Sequence, residues 1–133
     1  MVAEDGIYAL KKVLTQSDEQ LQSVKQEIHV SSLFNHPNLL PLLDHSIIAV
    51  KEGTWNQEAY LLFPAYLNGT LLDNAQNMKA KNEYYRPVMV LHIFKQLCTG
   101  LKHMHNFDPP YVHNDVKPGN VLITWRRECA QVS

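Results

Sequence analysis

One segment, Tyr111–Ile123, constrains this chain more than any other. Its sequence, YVHNDVKPGNVLI, places polar and charged residues between two short apolar runs. This pattern predicts a loop flanked by short strands. Such a loop would hold a carboxylate (Asp115), an ammonium group (Lys117) and an amide (Asn120) close together. The plainer alternative is a polar surface loop that follows a helix.

The segment resembles the catalytic loop of protein kinases, whose pattern is His-Arg-Asp-Leu-Lys-Pro-x-Asn. Five positions match by residue type, namely His113, Asp115, Lys117, Pro118 and Asn120. If each type occurs at roughly 5%, chance produces such a match in on the order of one window in a few million. The resemblance implies that Asp115 orients a substrate hydroxyl, Lys117 supplies a cation for the transferring phosphate, and Asn120 ligates Mg²⁺.

An amphipathic helix is predicted from Ser17 to about Phe34. Ser17 and Gln20 have the spacing of a capping box, which satisfies backbone N–H groups at a helix start. The helix is expected to end before His36-Pro37, because a residue preceding proline disfavours the helical conformation. Apolar residues at spacings of three and four predict its buried stripe, which consists of Leu21, Val24 and Ile28.

A lysine and a glutamate upstream of the loop give independent support. Tyr8-Ala9-Leu10-Lys11, in the predicted strand Ile7–Leu14, resembles the Val-Ala-Ile-Lys strand whose lysine holds the phosphates of ATP. Glu27 falls on the apolar stripe of the helix, where an unpaired carboxylate is costly. The resemblance implies that Glu27 pairs with Lys11, whereas strand alternation directs Lys12 to the other face. The alternatives are a solvated edge lysine and a glutamate at the helix edge.

The segment Tyr60–Leu71 resembles the last strand of the kinase small lobe and the adenine-binding hinge. The resemblance implies that Phe63 is the gatekeeper residue. It also implies that the backbone carbonyl of Pro64 and the backbone N–H and carbonyl of Tyr66 face the adenine. Proline is acceptable at the first hinge position, since only its carbonyl is needed there. From the residues alone, the stretch is a buried strand followed by an Asn68-Gly69 turn.

The remaining segments complete an α+β order of elements. Residues 39–50 are rich in strand formers, Leu71–Lys81 is an ambiguous helical stretch, and Pro87 opens a second strong helix. The predicted buried stripe of that helix is Leu91, Phe94, Leu97 or Cys98, Leu101 and Met104. The fold expected by resemblance is a partial protein-kinase domain, with a small lobe at about 1–63, a hinge at about 64–70, the start of the large lobe at about 71–123, and a divergent tail at 124–133.

Composition narrows the class of partner. The net charge of −1 favours neither nucleic acid nor an anionic membrane as a partner. Two cysteines are too few for a disulfide framework, and no long apolar stretch is present, so a cytoplasmic protein is expected. A zinc site is not indicated, because the spacing of its possible ligands fits no usual finger; these are Cys98, His103, His105 and His113.

Four further segments narrow the resemblance within the kinases. YALK, SSLFNHPNLL, AYLLFP and NGTL together resemble the Numb-associated kinase group. Within that group they resemble the myristoylated and palmitoylated Golgi-associated branch in its plant-like form. The resemblance implies transfer of the ATP γ-phosphoryl group to serine or threonine hydroxyls, with ATP and Mg²⁺ as cofactors and a protein as substrate. It also implies a Golgi-peripheral location for a full-length member.

The sequence departs from the family pattern at three points. No glycine-rich loop occurs in the ten residues before Lys11, and no Asp-Phe-Gly follows Asn120. Asn114 stands where an arginine normally precedes the catalytic aspartate. We therefore expect the chain to be inactive by itself, and expect the parent kinase not to depend on activation-loop phosphorylation through this position. The alternative is a non-catalytic interaction fragment derived from a kinase.

Overall fold

The computed structural model describes residues 6–50, 56–124 and 129–132, with side chains described up to residue 124. Two compact units are present. The first comprises the described residues up to Asn35 together with those of 41–65, and the second comprises 36–40 together with the described residues from 66 onward. The order of elements is α+β, as expected: β1 (Tyr8–Thr15), α1 (Asp18–Leu33), β2 (Asp44–Ala49), β3 (Gln57–Pro64), α2 (Leu71–Ala80), α3 (Pro87–His105), β4 (Val121–Thr124) and β5 (Cys129–Val132).

The first unit is a three-stranded antiparallel sheet with β3 at its centre. Ala59 and Leu61 of β3 have no exposed surface, and they pack with Val24 and Ile28 of α1. Because side chains alternate along a strand, every second residue of β3 is directed toward the helix. β1 is an edge strand, since among the described strands it pairs only with β3.

Helix α1 confirms the predicted stripe, because Leu21, Val24 and Ile28 are all buried. Its start differs in one detail from the predicted capping box. The Ser17 hydroxyl oxygen accepts the Gln20 N–H at 3.3 Å, but the Gln20 side chain accepts the N–H of Gln16 at 2.8 Å rather than that of Ser17. The reciprocal half of the cap has therefore moved one residue toward the N-terminus.

The ambiguous stretch after the hinge segment is a true helix, α2. Its start is a full capping box: the Thr70 hydroxyl accepts the Asp73 N–H at 3.1 Å, and the Asp73 carboxylate accepts the Thr70 N–H at 2.9 Å. Its end is a Schellman motif, in which the Asn82 N–H bonds the carbonyl of Lys79 and the Glu83 N–H bonds that of Met78. Asn82 takes the left-handed conformation (φ +58°) that this motif requires.

The predicted buried stripe of α3 is wrong at the start of the helix and confirmed toward its end, where Leu101 is half-buried and Met104 is buried. Leu91 and Phe94 are 67% and 63% exposed, whereas Ile93, Gly100 and Met104 are buried. Two residues along a helix correspond to about 200° of rotation, so Ile93 faces away from Leu91. The sequence has apolar residues on both faces, and the face bearing Ile93 is the one that packs on Val121 of β4. Of the predicted stripe, Met104 is buried and Leu97 is partly buried.

The segment His36–Leu40 packs closely on α3. The Asn38 amide donates to the Gln96 side-chain oxygen at 3.2 Å, and the rings of His36 and His103 lie 5.2 Å apart. Burial, with a smaller contribution from His103, lowers the pKa of His36, so its ring is neutral at pH 7. Gly100 permits this approach, because a Cβ atom there would lie 3.0 Å from the Asn38 carbonyl oxygen.

No helix within the described residues is long and apolar enough to cross a bilayer.

We predict that Gly100→Ala destabilises the chain. Alanine is favoured over glycine in a helix by about 1 kcal/mol, but the new methyl group would lie 3.0 Å from the Asn38 carbonyl oxygen and 3.3 Å from both Asn38 Cβ and Leu39 Cδ2. We expect a net loss of about 1–3 kcal/mol in the free energy of unfolding, measured by urea denaturation. Cys98→Ala, at an exposed position of the same helix, is the control and should change it by less than about 0.5 kcal/mol. A Gly100→Ala protein more stable than the parent would contradict this account.

Candidate active site

Lys11 and Glu27 are brought together in the first unit. The Lys11 Nζ atom lies 2.7 Å from Glu27 Oε1, which joins β1 to α1. Lys11 is paired with Leu61 of β3, so its side chain leaves the sheet on the face that α1 covers. Both side chains remain roughly half-exposed. The structure therefore presents an ammonium group that is held in place by a carboxylate yet is accessible from solvent.

The neighbouring Lys12 has a different partner on the opposite face of the sheet. Its Nζ atom lies 2.7 Å from Glu58 Oε1, and the hydroxyl of Tyr60 donates to the other oxygen of Glu58. The hydrogen bond with Glu58 raises the pKa of Lys12, and the same contact lowers the pKa of Glu58. This alternation, which the sequence predicts, separates the two adjacent lysines into two independent ion pairs.

Asp115, Lys117 and Asn120 are brought together in the second unit, on the loop that precedes β4. The Asn120 amide nitrogen donates to both the backbone oxygen and the carboxylate Oδ2 of Asp115, each at 2.9 Å. The Lys117 Nζ atom lies 3.6 Å from the other carboxylate oxygen, Oδ1. A turn of 3₁₀ helix at Pro118–Asn120 places Asn120 back toward Asp115. The carboxylate is thus oriented by one neighbour and balanced in charge by another.

Two further features of this loop hold the backbone around Asp115. The His113 Nδ1 atom accepts the Asp115 N–H at 3.2 Å. Asn114, between them, adopts the left-handed conformation with φ +63°. Asparagine tolerates this conformation better than most residues, because its short polar group can form local hydrogen bonds. The sequence singles out both positions, through the motif match and through the missing arginine, but it does not indicate the backbone conformation.

The three residues that the resemblance assigns to the hinge lie at the end of the central strand, β3, and just after it. Phe63 is partly buried against the core of the first unit, and Pro64 is buried and pairs with Tyr8. Tyr66 belongs to the second unit, where its carbonyl accepts the Gly69 N–H at 3.2 Å. The Gly69 carbonyl in turn accepts the N–H of Ile123, so this turn is tied directly to β4. Sequence reasoning missed that last contact.

The donor atoms suit ATP and Mg²⁺. Mg²⁺ prefers oxygen ligands, and the amide oxygen of Asn120 is of that type. Because the Asn120 nitrogen is turned toward Asp115, its Oδ1 atom is directed elsewhere. Lys11, fixed by Glu27, suits a phosphate. Among the described residues, no cluster of three or more His, Cys, Asp or Glu side chains that could hold a metal ion occurs.

A strand lysine paired with a helix glutamate, and a loop in which asparagine and lysine flank an aspartate, are the features of a protein kinase domain. The sequence matches the family described as "Protein kinase domain" over residues 2–132, and the chain belongs to that family.

Two of its relatives are named as serine/threonine-protein kinases. The chain is 35% identical over 122 residues to a probable serine/threonine-protein kinase of Dictyostelium discoideum, covering 87% of this chain and 32% of that protein. It is 32% identical over 120 residues to serine/threonine-protein kinase 16 of Homo sapiens, covering 90% of this chain and 38% of that protein. The chain therefore spans about a third of the length of these relatives.

We predict that Asn114 stabilises the loop because it tolerates the left-handed backbone conformation at this position. Asn114→Ala should lower the free energy of unfolding by about 1 kcal/mol, because the left-handed conformation is costly for alanine. Asn114→Gly should change it by less than about 0.5 kcal/mol, because glycine adopts that conformation freely. Urea denaturation measures both, and Val116→Ala at a neighbouring exposed position is the control. Equal effects of alanine and glycine at residue 114 would rule out a conformational role.

Proposed function

We propose that this chain is part of a serine/threonine protein kinase that transfers the γ-phosphoryl group of ATP to a protein hydroxyl. The observation that carries the proposal is the arrangement of Lys117 and Asn120 around the Asp115 carboxylate. A surface loop with a purely structural role does not need an exposed carboxylate that is held in one orientation by an amide and paired with a lysine. The Lys-Pro-x-Asn form of the loop favours serine or threonine over tyrosine as the acceptor.

Each residue of the loop has a distinct task in this proposal. Asn120 holds Asp115 Oδ2, so Oδ1 is the oxygen that accepts a hydrogen bond from the substrate hydroxyl and takes its proton. Lys117 stabilises negative charge on the transferring group, and the amide oxygen of Asn120 ligates the metal. Bound Mg-ATP would supply the electrophilic phosphoryl group and neutralise its charge.

The first unit binds the nucleotide in the same proposal. Lys11, held by Glu27, contacts the phosphates. Phe63 lies beside the base as gatekeeper, and the backbone groups of Pro64 and Tyr66 bind the adenine edge. We place the parent protein in the Numb-associated group, in its lipid-modified, Golgi-associated branch of plant-like form. Its proposed location is the cytoplasm, at the periphery of the Golgi. The segments YALK, SSLFNHPNLL, AYLLFP and NGTL support this, as does the similarity to serine/threonine-protein kinase 16.

A second candidate function is a non-catalytic interaction fragment. The observation that favours it is the face of α3 that exposes Leu91 and Phe94, since large apolar side chains in one place commonly mark a contact with another molecule. In that case the loop residues would be inherited from a kinase without being used.

We predict that the 133-residue protein binds ATP weakly and almost independently of Mg²⁺. Lys11 and the hinge groups are present, but the sequence has no glycine-rich loop before them and no Asp-Phe-Gly after Asn120. Calorimetry should show that Lys11→Met weakens binding by roughly tenfold, because a charge-assisted phosphate contact is lost. Lys12→Met is the matched control and should leave binding unchanged, since Lys12 belongs to the other face and pairs with Glu58. Equal losses in both variants would contradict the proposed role of Lys11.

We also predict that the protein alone, at micromolar concentration with Mg-ATP, transfers no phosphoryl group above the level of an Asp115→Asn control. Groups that enclose the phosphates and complete a metal shell act directly on transition-state charge, and residues 1–133 contain neither a glycine-rich loop nor an Asp-Phe-Gly motif. Radiolabelled ATP with a serine-containing peptide mixture provides the assay. Robust transfer that Asp115→Asn abolishes would overturn the expected inactivity while supporting the role of Asp115.

A further inference from the structure

The second unit has a groove that the proposed chemistry does not use. Its volume is about 990 Å³, at the upper end of the range of about 300–1,000 Å³ that is usual for ligand pockets. It is lined by α2, by the connection between α2 and α3, by the first turns of α3, and by the end of β4. A space of this size holds several side chains, not a single ion.

The floor of the groove is rigid because it is shared with the hydrophobic core. Ile93 is buried, and Met89, Tyr85 and Ile123 pack against the same core cluster. Burial raises the pKa of the Tyr85 hydroxyl. The connection above the floor is held in shape by the Schellman motif at Asn82. The groove is thus a feature of the packed fold.

The rim of the groove is apolar and exposed. Tyr84 is 80% exposed and Val88 is 70% exposed, and Met78 lies beside them at the end of α2. Tyrosine and methionine are enriched in protein interfaces: tyrosine gives a large contact area at low entropic cost, and methionine adapts its shape. A small enclosed ligand would leave Tyr84 and Val88 uncovered, whereas a peptide segment lying along the groove would cover them.

The charged side chains at the rim favour a negatively charged ligand. Lys81 and Arg86 both line the groove, and Glu83 is its only acidic residue among the described lining residues. The first turn of α3 contains no acidic residue, so the positive end of its helix dipole adds to the positive charge of Lys81 and Arg86. His92 also lines the groove, together with Tyr84 and Tyr85.

We infer that this groove is a docking site for an extended segment of a partner protein in which one or two large apolar residues are flanked by carboxylates. The apolar side chains would lie on Met89 and Ile123 beneath Tyr84, and the carboxylates would face Lys81 and Arg86. This contact is separate from the residues assigned to phosphoryl transfer, and its existence does not depend on that assignment.

Three fluorescein-labelled peptides test the inference by fluorescence anisotropy with the 133-residue protein. They are Glu-Glu-Leu-Phe-Glu-Glu, its lysine counterpart Lys-Lys-Leu-Phe-Lys-Lys, and Glu-Glu-Ser-Ser-Glu-Glu. We expect the first to bind at least about tenfold more tightly than either of the others. It alone has both apolar side chains for the floor of the groove and carboxylates for its basic rim. Tyr84→Ser should weaken its binding by roughly tenfold.

Charge reversal supplies the sharper comparison. A Lys81→Glu, Arg86→Glu variant should lose the acidic peptide and bind the lysine peptide instead. A Lys95→Glu, Lys102→Glu variant changes the net charge equally at exposed positions of α3 outside the groove, and should behave as the parent. Circular dichroism verifies that each variant is folded.

Three results would overturn the inference. One is equal binding of the acidic and lysine peptides, and another is an equal loss in the two charge variants. The third is binding of phosphatidylserine vesicles through Lys81 and Arg86 with no peptide binding, which would assign the basic rim to a lipid surface.

Discussion

The burial of β3 is the constraint on which the first unit depends. Ala59 and Leu61 have no exposed surface, because β1 and β2 flank the strand and α1 covers it. A one-residue slip in the pairing of β1 with β3 would exchange the faces of every side chain on β1. Lys11 would then lose Glu27, and Lys12 would lose Glu58. The apolar core therefore determines which of two adjacent lysines is presented on the helix-covered face.

In the second unit, the loop around Asp115 is held mainly by short-range contacts. Asp115 is oriented by residues within five positions of it in the sequence, through hydrogen bonds with Asn120 and His113 and through the charge of Lys117. The loop is tied to the rest of the unit by β4, whose Val121 is almost fully buried. A site with this much local structure is well suited to recognition from sequence, since the spacing of the residues already implies their proximity.

The sequence predicts contacts between nearby or periodically spaced residues better than it predicts contacts between residues that are distant in sequence. The Lys11–Glu27 contact and the stripe of α1 follow from periodicity and from family resemblance, and both are present. The buried face of α3 could not be chosen in that way. Apolar residues occur on both sides of that helix, and the choice depends on its long-range neighbours, Val121 and the Asn38 backbone. The groove was missed for a related reason, because its shape depends on the left-handed turn at Asn82, which no periodic pattern indicates.

The edge position of β1 has a consequence for solubility. An edge strand presents backbone N–H and carbonyl groups that can pair with a strand of another molecule, and proteins limit this with charged side chains on the edge. Lys11 and Lys12 are the charged residues of β1, in a strand that otherwise exposes Tyr8, Leu10 and Leu14. Among the described strands β1 has a neighbour on one side only, and Lys11 and Lys12 are charges of the kind that limit pairing with another molecule. Lys11→Arg keeps the charge but changes the shape of a phosphate contact, so it separates an effect on ligand binding from an effect on aggregation.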